Sequence, residues 1–403
     1  MIRRIDDYID IVGKETISSI FKKAKKIYRK RICNINATFI GGGVAEILGR
    51  LVPLMNESGL DAEWRTIHGS PAFFDVTKRF HNALQGSDLE LSPLRKSLYL
   101  DINEEFSNFT HLNYDCLIVH DPQPLPVIKF YKKVQPWIWR CHIDITNPHE
   151  ELWDFLEKYM LRYDIIVVSS EKYKKKDLPV EQRIIHPAID PLSLKNRNLS
   201  QEEVLKYVKE AGVPTDKPII AQVSRMDPWK DPEGVLEVYH LVREKVDCRL
   251  LYCYNLATDD PEGMEIYSKI RGKTQKLAEN GDVIFVVGNN DLLVNAIQRF
   301  ADVIIQKSTR EGFALTVTEA LWKAKAVVGG NVGGIPIQIK DGHTGFLVNP
   351  HDYKECADRI IRLLQEPKLA QEMGEKAKEH VRNNFLTTRL LSDYLDLLAD
   401  VMR

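Results

Sequence analysis

Apolar positions along the chain fall into two rhythms. Short β-branched or aromatic runs stand at Ile35–Phe39, Asp61–Ile67, Cys116–Val119, Trp137–Cys141 and Asp164–Ser169, and again at Ile219–Val223, Arg249–Tyr254, Val283–Val287, Ala301–Gln306 and Ala326–Val328. Between those of the second half lie stretches of helical spacing, near Glu233–Val246, Gly263–Asn280, Leu292–Phe300 and Ala314–Ala324. A run that is apolar throughout predicts a strand covered on both faces, and strand–helix alternation predicts a parallel, doubly wound α/β sheet. Two such domains fit 403 residues, because a single core stops growing at about 250–300 residues. A connector punctuated by Pro187 and Pro191 precedes a charged stretch, Ser193–Gly212, and the switch is expected near Ala211–Pro214. The expected division is therefore 1–211, 212–384, and a last amphipathic helix over 385–403.

At the N-terminus, Ile17, Ile20, Phe21, Ala24, Ile27 and Tyr28 share one helical face, and the opposite face of Lys14–Arg31 is basic. Such a helix packs on the first domain with its charges in water; it also suits a membrane surface.

The stretch from Ser308 to Pro336, STREGFALTVTEALWKAKAVVGGNVGGIP, carries the chemistry. It reads as a polar loop, a helix, a strand and a glycine-rich turn, with the loop at the carboxyl end of a strand, where ligands of open α/β sheets sit. Glu311 on the loop and Glu319 on the helix have seven residues between them. The amides of Leu315 and Thr316 are unpaired donors at the helix start. Upstream, Arg225 and Lys230 leave the strand Pro218–Val223 with four residues between them. Two cations beside a helix N-terminus suit a diphosphate. Taken alone, the two glutamates also suit a solvated helix.

Both spacings, in this order, resemble the R-x4-K and E-x7-E signatures of retaining GT-B glycosyltransferases of the glycogen-synthase and sucrose-synthase type, and the tail GGNVGGIP…DGHTGFLV fits the same group. The first-domain stretch TFIGGGVAEILGRLVPLMNESGLDAEWRTIHG resembles the trehalose glycosyltransferring synthases within it. The resemblance implies a GT-B fold, two Rossmann-like domains facing across a cleft with the last helix crossing back to the first domain. It implies transfer of glucose from ADP- or UDP-glucose to free glucose, with retention, reversibly, giving trehalose, in a homodimer.

On that resemblance Arg225, Lys230 and the Leu315 and Thr316 amides neutralise the departing diphosphate, Glu311 orients the sugar, and Glu319 holds the ribose. Gly312, Phe313 and Ala314 line the donor, and Asn289, in the loop after Val287, meets the base. In the first domain, Gly41-Gly42-Gly43 between a strand and a helix start make an anion site or a plain tight turn. The resemblance brings Gly42 and Gly43 over the phosphates and His142 onto the donor sugar. Asp121 and Asp144, each near a strand end, are acceptor-side candidates. One departure is visible: Ile337-Gln338 follow Gly-Gly-Ile-Pro, where many relatives carry an acid directly after the proline.

Composition narrows the rest. An apolar share of 44% and a charged share of 28% describe an ordinary globular protein, and a net charge of −1 gives no field for nucleic acid. The six cysteines are scattered and read as reduced structural thiols. No apolar run approaches the roughly 18 residues of a membrane span, and no signal-peptide core is present, so a cytoplasmic protein is expected. No Asp-x-Asp metal grip stands out at the donor site. Asp259, Asp260 and Glu262 read as surface acids, no tightly bound cofactor is expected, and Mg²⁺ would enter only on the donor's phosphates.

Overall fold

The computed structural model describes residues 3–255 and 261–402. Asp259, Asp260 and the side chain of Glu262 lie outside the described residues. The chain divides into two compact units, residues 1–188 with 387–403, and residues 189–386.

The first unit is built on six parallel strands: β1 (Arg31–Asn36), β2 (Asp61–Thr66), β3 (Cys116–His120), β4 (Trp137–Arg140), β5 (Ile165–Val168) and β6 (Glu181–Ile184), in the order β2-β1-β3-β4-β5-β6. Every residue of β3, β4 and β5 is buried, as the apolar runs predict for strands covered on both faces. Trp137, Trp139, Phe73, Phe80 and Tyr99 fill the core between sheet and helices. β6 and the helices Pro71–Leu84 and Pro93–Phe109 complete the layer; each helix has a serine N-cap and proline at its first turn.

The second unit repeats the plan: β7 (Ile219–Arg225), β8 (Arg249–Asn255), β9 (Val283–Val287), β10 (Val303–Gln306), β11 (Ala326–Gly330) and β12 (Phe346–Val348), all parallel, in the order β12-β11-β10-β7-β8-β9.

In each sheet the chain first winds to one side and then returns to wind to the other. The two switch points fall between β1 and β3 and between β7 and β10. The loops that leave the carboxyl ends of those four strands diverge there and open a crevice.

The unit boundary, expected at 211/212, lies at 188/189. The reason is bonding. Ile189 N–H donates to Phe385 O at 2.9 Å, and Asn295 and Arg299 bond the carbonyls of Leu194 and Arg197. The helix Gln201–Glu210 packs on the helix Asp291–Phe300. The charged stretch thus belongs to the second unit, and the chain changes unit at the His186–Pro191 connector.

The helix Thr387–Val401 returns to the first unit and buries Leu390, Leu391, Tyr394, Leu395, Leu397 and Leu398, packing on the helices Lys14–Ala24 and Gly42–Glu57. Its partner buries Ile17, Ile20 and Ala24, while Phe21 and Tyr28 of the expected stripe stay 40% and 60% exposed. The helical pattern ends earlier than expected, at Ala24, with a 3₁₀ turn over Lys25–Ile27.

All six cysteines are buried free thiols, and burial pushes that of Cys33 up to about 12. Among the described residues no helix is long and apolar enough to cross a membrane, and no three His, Cys, Asp or Glu side chains group as a metal cluster.

Candidate functional site

In the second unit the switch point between β7 and β10 gathers the cations and acids that the sequence singled out. Lys230 ends a 3₁₀ turn after β7, capped by Asp227, whose Oδ1 accepts from Trp229 N–H at 2.8 Å. The turn is tied to β10's loop at several points. Thr309 N–H donates to Trp229 O at 2.8 Å, the Arg310 guanidinium lies 5.7 Å from the Trp229 ring centre, and the fully buried Lys307 pairs with Asp231. Gln222 of β7 donates to Lys230 O at 2.8 Å.

This scaffold sets the Lys230 ammonium on the Glu311 carboxylate, a close ion pair with side chains 18% and 10% exposed. Ser308 Oγ reaches the same carboxylate at 3.5 Å. Arg225 stands outward at 54% exposure, its fork on Asp227 at 2.8 Å.

Gly312, Phe313 and Ala314 lead from Glu311 into the helix Leu315–Trp322. Ala314, its N-cap, sits in the left-handed region at φ 70°. The amides of Leu315 and Thr316 have no acceptor among the described residues, so two donors stand at the helix start. Gln338 is completely buried beneath this corner. Its amide N–H groups donate to Phe313 O and, at 3.4 Å, to the Ala314 and Gly334 carbonyls. Its Oε1 accepts from Thr318 Oγ1 at 2.6 Å. Gln338, the second residue after Pro336, thus clamps the loop to the helix. Gly334 lets the turn approach: a Cβ there would lie 2.7 Å from Phe313 Cα.

Glu319 is 2% exposed, with Oε1 3.6 Å from Lys195 Nζ. Asn289 lies exposed after the edge strand β9, apart from the switch point in the sheet order.

In the first unit, Gly42 begins the helix Gly42–Glu57 with φ 78°, which a side chain would disfavour. Gly43 follows it in the helix's first turn. His120 and Asp121 leave β3, and His142 follows β4, where His120 pairs in register with Arg140. Asp121 has φ 63°, and its Oδ1 accepts from His142 N–H at 2.7 Å. Burial raises its pKa to about 7, against the pull of that bond and of Arg140. Asp144 turns inward: its Oδ1 accepts from Thr146 N–H at 2.9 Å and from Thr146 Oγ1 at 2.6 Å, closing a local turn.

The second-unit candidates Arg225, Lys230, Glu311 and 312–316 therefore stand together at one switch point. Gly42, Gly43, Asp121 and His142 surround the other. Asn289 and Asp144 stand outside these groups. Sequence reasoning assigned no role to Asn34, His120, Lys307 and Gln338; for the first three the available signal was a polar side chain inside an otherwise apolar strand or at its end, and Gln338, on the short helix Ile335–Gln338, carried none.

Two family models match the chain, one described as "Trehalose synthase, N-terminal domain" over residues 34–175 and one as "Glycosyl transferases group 1" over residues 204–380. The chain is 46% identical to a trehalose synthase of Pyrococcus horikoshii, over 98% of this chain and 96% of that protein. It is 43% identical to a trehalose synthase of Rubrobacter xylanophilus, over 99% and 97%. A solved sucrose-phosphate synthase from Thermosynechococcus elongatus superposes with a TM-score of 0.73 at 18% identity, covering 92% of this chain and 98% of that one, which shows the shared GT-B fold. Identity of that degree along nearly the whole chain, on that fold, places it in the trehalose synthase family of GT-B glycosyltransferases.

Proposed function

We propose that this enzyme transfers glucose from a nucleoside diphosphate glucose, ADP- or UDP-linked, to free glucose, with retention at the anomeric carbon, reversibly, giving trehalose. The observation that carries the reading is the Lys230–Glu311 pair beside two unpaired helix amides at a sheet switch point. The barrier lies in separating a sugar with oxocarbenium character from a diphosphate. Donors already aimed at the charge that develops are the largest available effect. Lys230, Arg225 and the amides of Leu315 and Thr316 take that charge. Glu311, relieved of part of its pairing when the diphosphate arrives, turns its carboxylate to the sugar hydroxyls. Glu319 takes the ribose, Asn289 lies by the base, and Gly42 and Gly43 close on the phosphates. His142 meets the donor sugar, and Asp121 meets the acceptor. Mg²⁺ enters only with the donor's phosphates.

The test is to incubate the protein with ADP-glucose or UDP-glucose, with and without glucose, and follow both diphosphate release and product. Glucose-dependent release with an α,α-linked disaccharide, identified by its anomeric NMR signal, is expected. Release that ignores glucose moves the reading to another acceptor, such as a glycan, a lipid or a sugar phosphate. Turnover of trehalose with inorganic phosphate, and none with the nucleotide donor, would sink it.

A further inference from the structure

Asn34, His120 and His142 form a line from the interior of β1 to the loop after β4. His120 Nε2 lies 3.0 Å from Asn34 Oδ1, and His120 Nδ1 lies 3.1 Å from His142 Nε2. The two rings stack at an interplanar angle of 19°.

The direction of the protons follows from Asn34. Its Nδ2 faces the carbonyl oxygen of Glu63 at 3.4 Å, which only accepts, so its own amide oxygen is the atom that faces His120. An amide oxygen has no proton to give. His120 therefore donates from Nε2, and a neutral imidazole that donates at one nitrogen accepts at the other. The proton between the rings then sits on His142 Nε2. That leaves His142 Nδ1 with a lone pair, and nothing among the described residues bonds to it.

The scheme requires both rings to be neutral. His120 is 1% exposed, and burial with the Arg140 guanidinium nearby brings its pKa to about 3. Burial, Arg140 and His120 hold His142 well below the usual histidine range. Arg140 is itself 1% exposed and anchored by Ser169 Oγ at 3.0 Å and Ile185 O at 2.9 Å. The Oδ1 of Asp121 accepts from the His142 backbone N–H and not from the ring.

We propose that Asn34 and His120 are positioning residues that lock His142 in the Nε2–H tautomer, so that its Nδ1 accepts a hydroxyl hydrogen from the sugar being transferred. This rests on the reading of His142 as a donor-sugar contact. It adds a specificity rule: a sugar whose hydroxyl there is replaced by a group that cannot donate leaves the lone pair unmatched and is rejected.

The test uses the full chain labelled with ¹⁵N-histidine and two-bond ¹H–¹⁵N correlation spectra between pH 5.5 and 8. His142 is assigned by its loss in His142→Gln. A pyridine-like Nδ1 and pyrrole-like Nε2 across the range is the expected result. A protonated Nδ1 at pH 7, as either the other tautomer or the imidazolium, overturns the proposal. Asn34→Leu removes the acceptor that sets the chain of bonds. His142 should then show a mixture of tautomers, and kcat/KM for transfer should fall about tenfold, the loss of one hydrogen bond to substrate. An Asn34→Leu protein with unchanged tautomer and unchanged rate overturns the proposal; if that variant does not fold, the wild-type spectra still decide. A His142→Phe enzyme at wild-type rate removes the sugar-contact reading itself, whichever tautomer the spectra give.

Discussion

Lys230 and Arg225 are both cations at the same switch point, but their surroundings separate what their loss does. Lys230 is mostly buried against a mostly buried Glu311, and Arg225 is half exposed on Asp227. On the proposed function, Lys230→Ala and Arg225→Ala should each lower kcat by about 10²–10³, or about 2.7–4 kcal/mol of barrier, as deletion of an oxyanion donor does. Only Lys230→Ala takes the cation away from a mostly buried carboxylate, so it alone should also cost about 2–3 kcal/mol of stability, while Arg225→Ala stays within about 0.5 kcal/mol. Urea unfolding beside steady-state kinetics separates the two effects, and equal destabilisation by both would refute the argument. Asp121 supplies a second prediction at this scale. Its folded pKa, about 7, lies above that of an unfolded aspartate, so the folded state binds the proton more tightly. The stability this contributes is full below pH 4 and is lost as pH rises through 7. Asp121→Asn keeps the acceptor oxygen for His142 N–H and tolerates φ 63°. It should therefore gain stability relative to wild type between pH 5.5 and 8, measured by urea midpoints, and an unchanged pH slope would show that the carboxyl is not held neutral.

The helix Leu315–Trp322 has only eight residues, too short to hold its own start. Gln338 does that work, binding carbonyls of the loop on one side and Thr318 on the other. Gln338→Ala would leave Thr318 and a buried carbonyl unmatched, and we expect a loss of about 2–4 kcal/mol, with donor KM raised because the two amides lose their aim. Ala314, left-handed at φ 70°, points the other way: Ala314→Gly removes a strain of about 1–2 kcal/mol and loosens the unfolded chain, for a net gain of about 0.5 kcal/mol. Thermal and urea midpoints read both. Strand ends in this corner were legible because covered parallel strands are continuous apolar runs, and the spacings Arg225/Lys230 and Glu311/Glu319 begin where those strands end. The clamp was not legible. Gln338 acts across 24 residues on carbonyls whose orientation depends on Ala314's backbone, and no periodicity announces that. The turn at Asp144 was not legible either, and its cause is local: Thr146 two residues on offers Oδ1 both a backbone and a hydroxyl donor.

Two doubly wound sheets were readable from strand–helix alternation, because that pattern leaves few other ways to bury apolar strands. Their boundary was not, since the stretch after Ala188 is as charged as a linker and joins the second unit through backbone hydrogen bonds, which composition does not record. The chain passes between units twice, at 188/189 and 386/387, so the first unit is completed only by the last residues. The returning helix buries five leucines and Tyr394, at roughly 1.5–3 kcal/mol for each apolar side chain. Even discounted for a compact unfolded state, that sum rivals the 5–15 kcal/mol by which a domain is stable. A chain ending at Leu386 should therefore lose the first unit's cooperative unfolding transition while the 189–386 unit, whose sheet and core are its own, still unfolds as one. Calorimetry and limited proteolysis of the truncated chain check this. A surviving protease-resistant 1–188 fragment would mean that the N-terminal residues suffice for the core, and that the last helix only covers it.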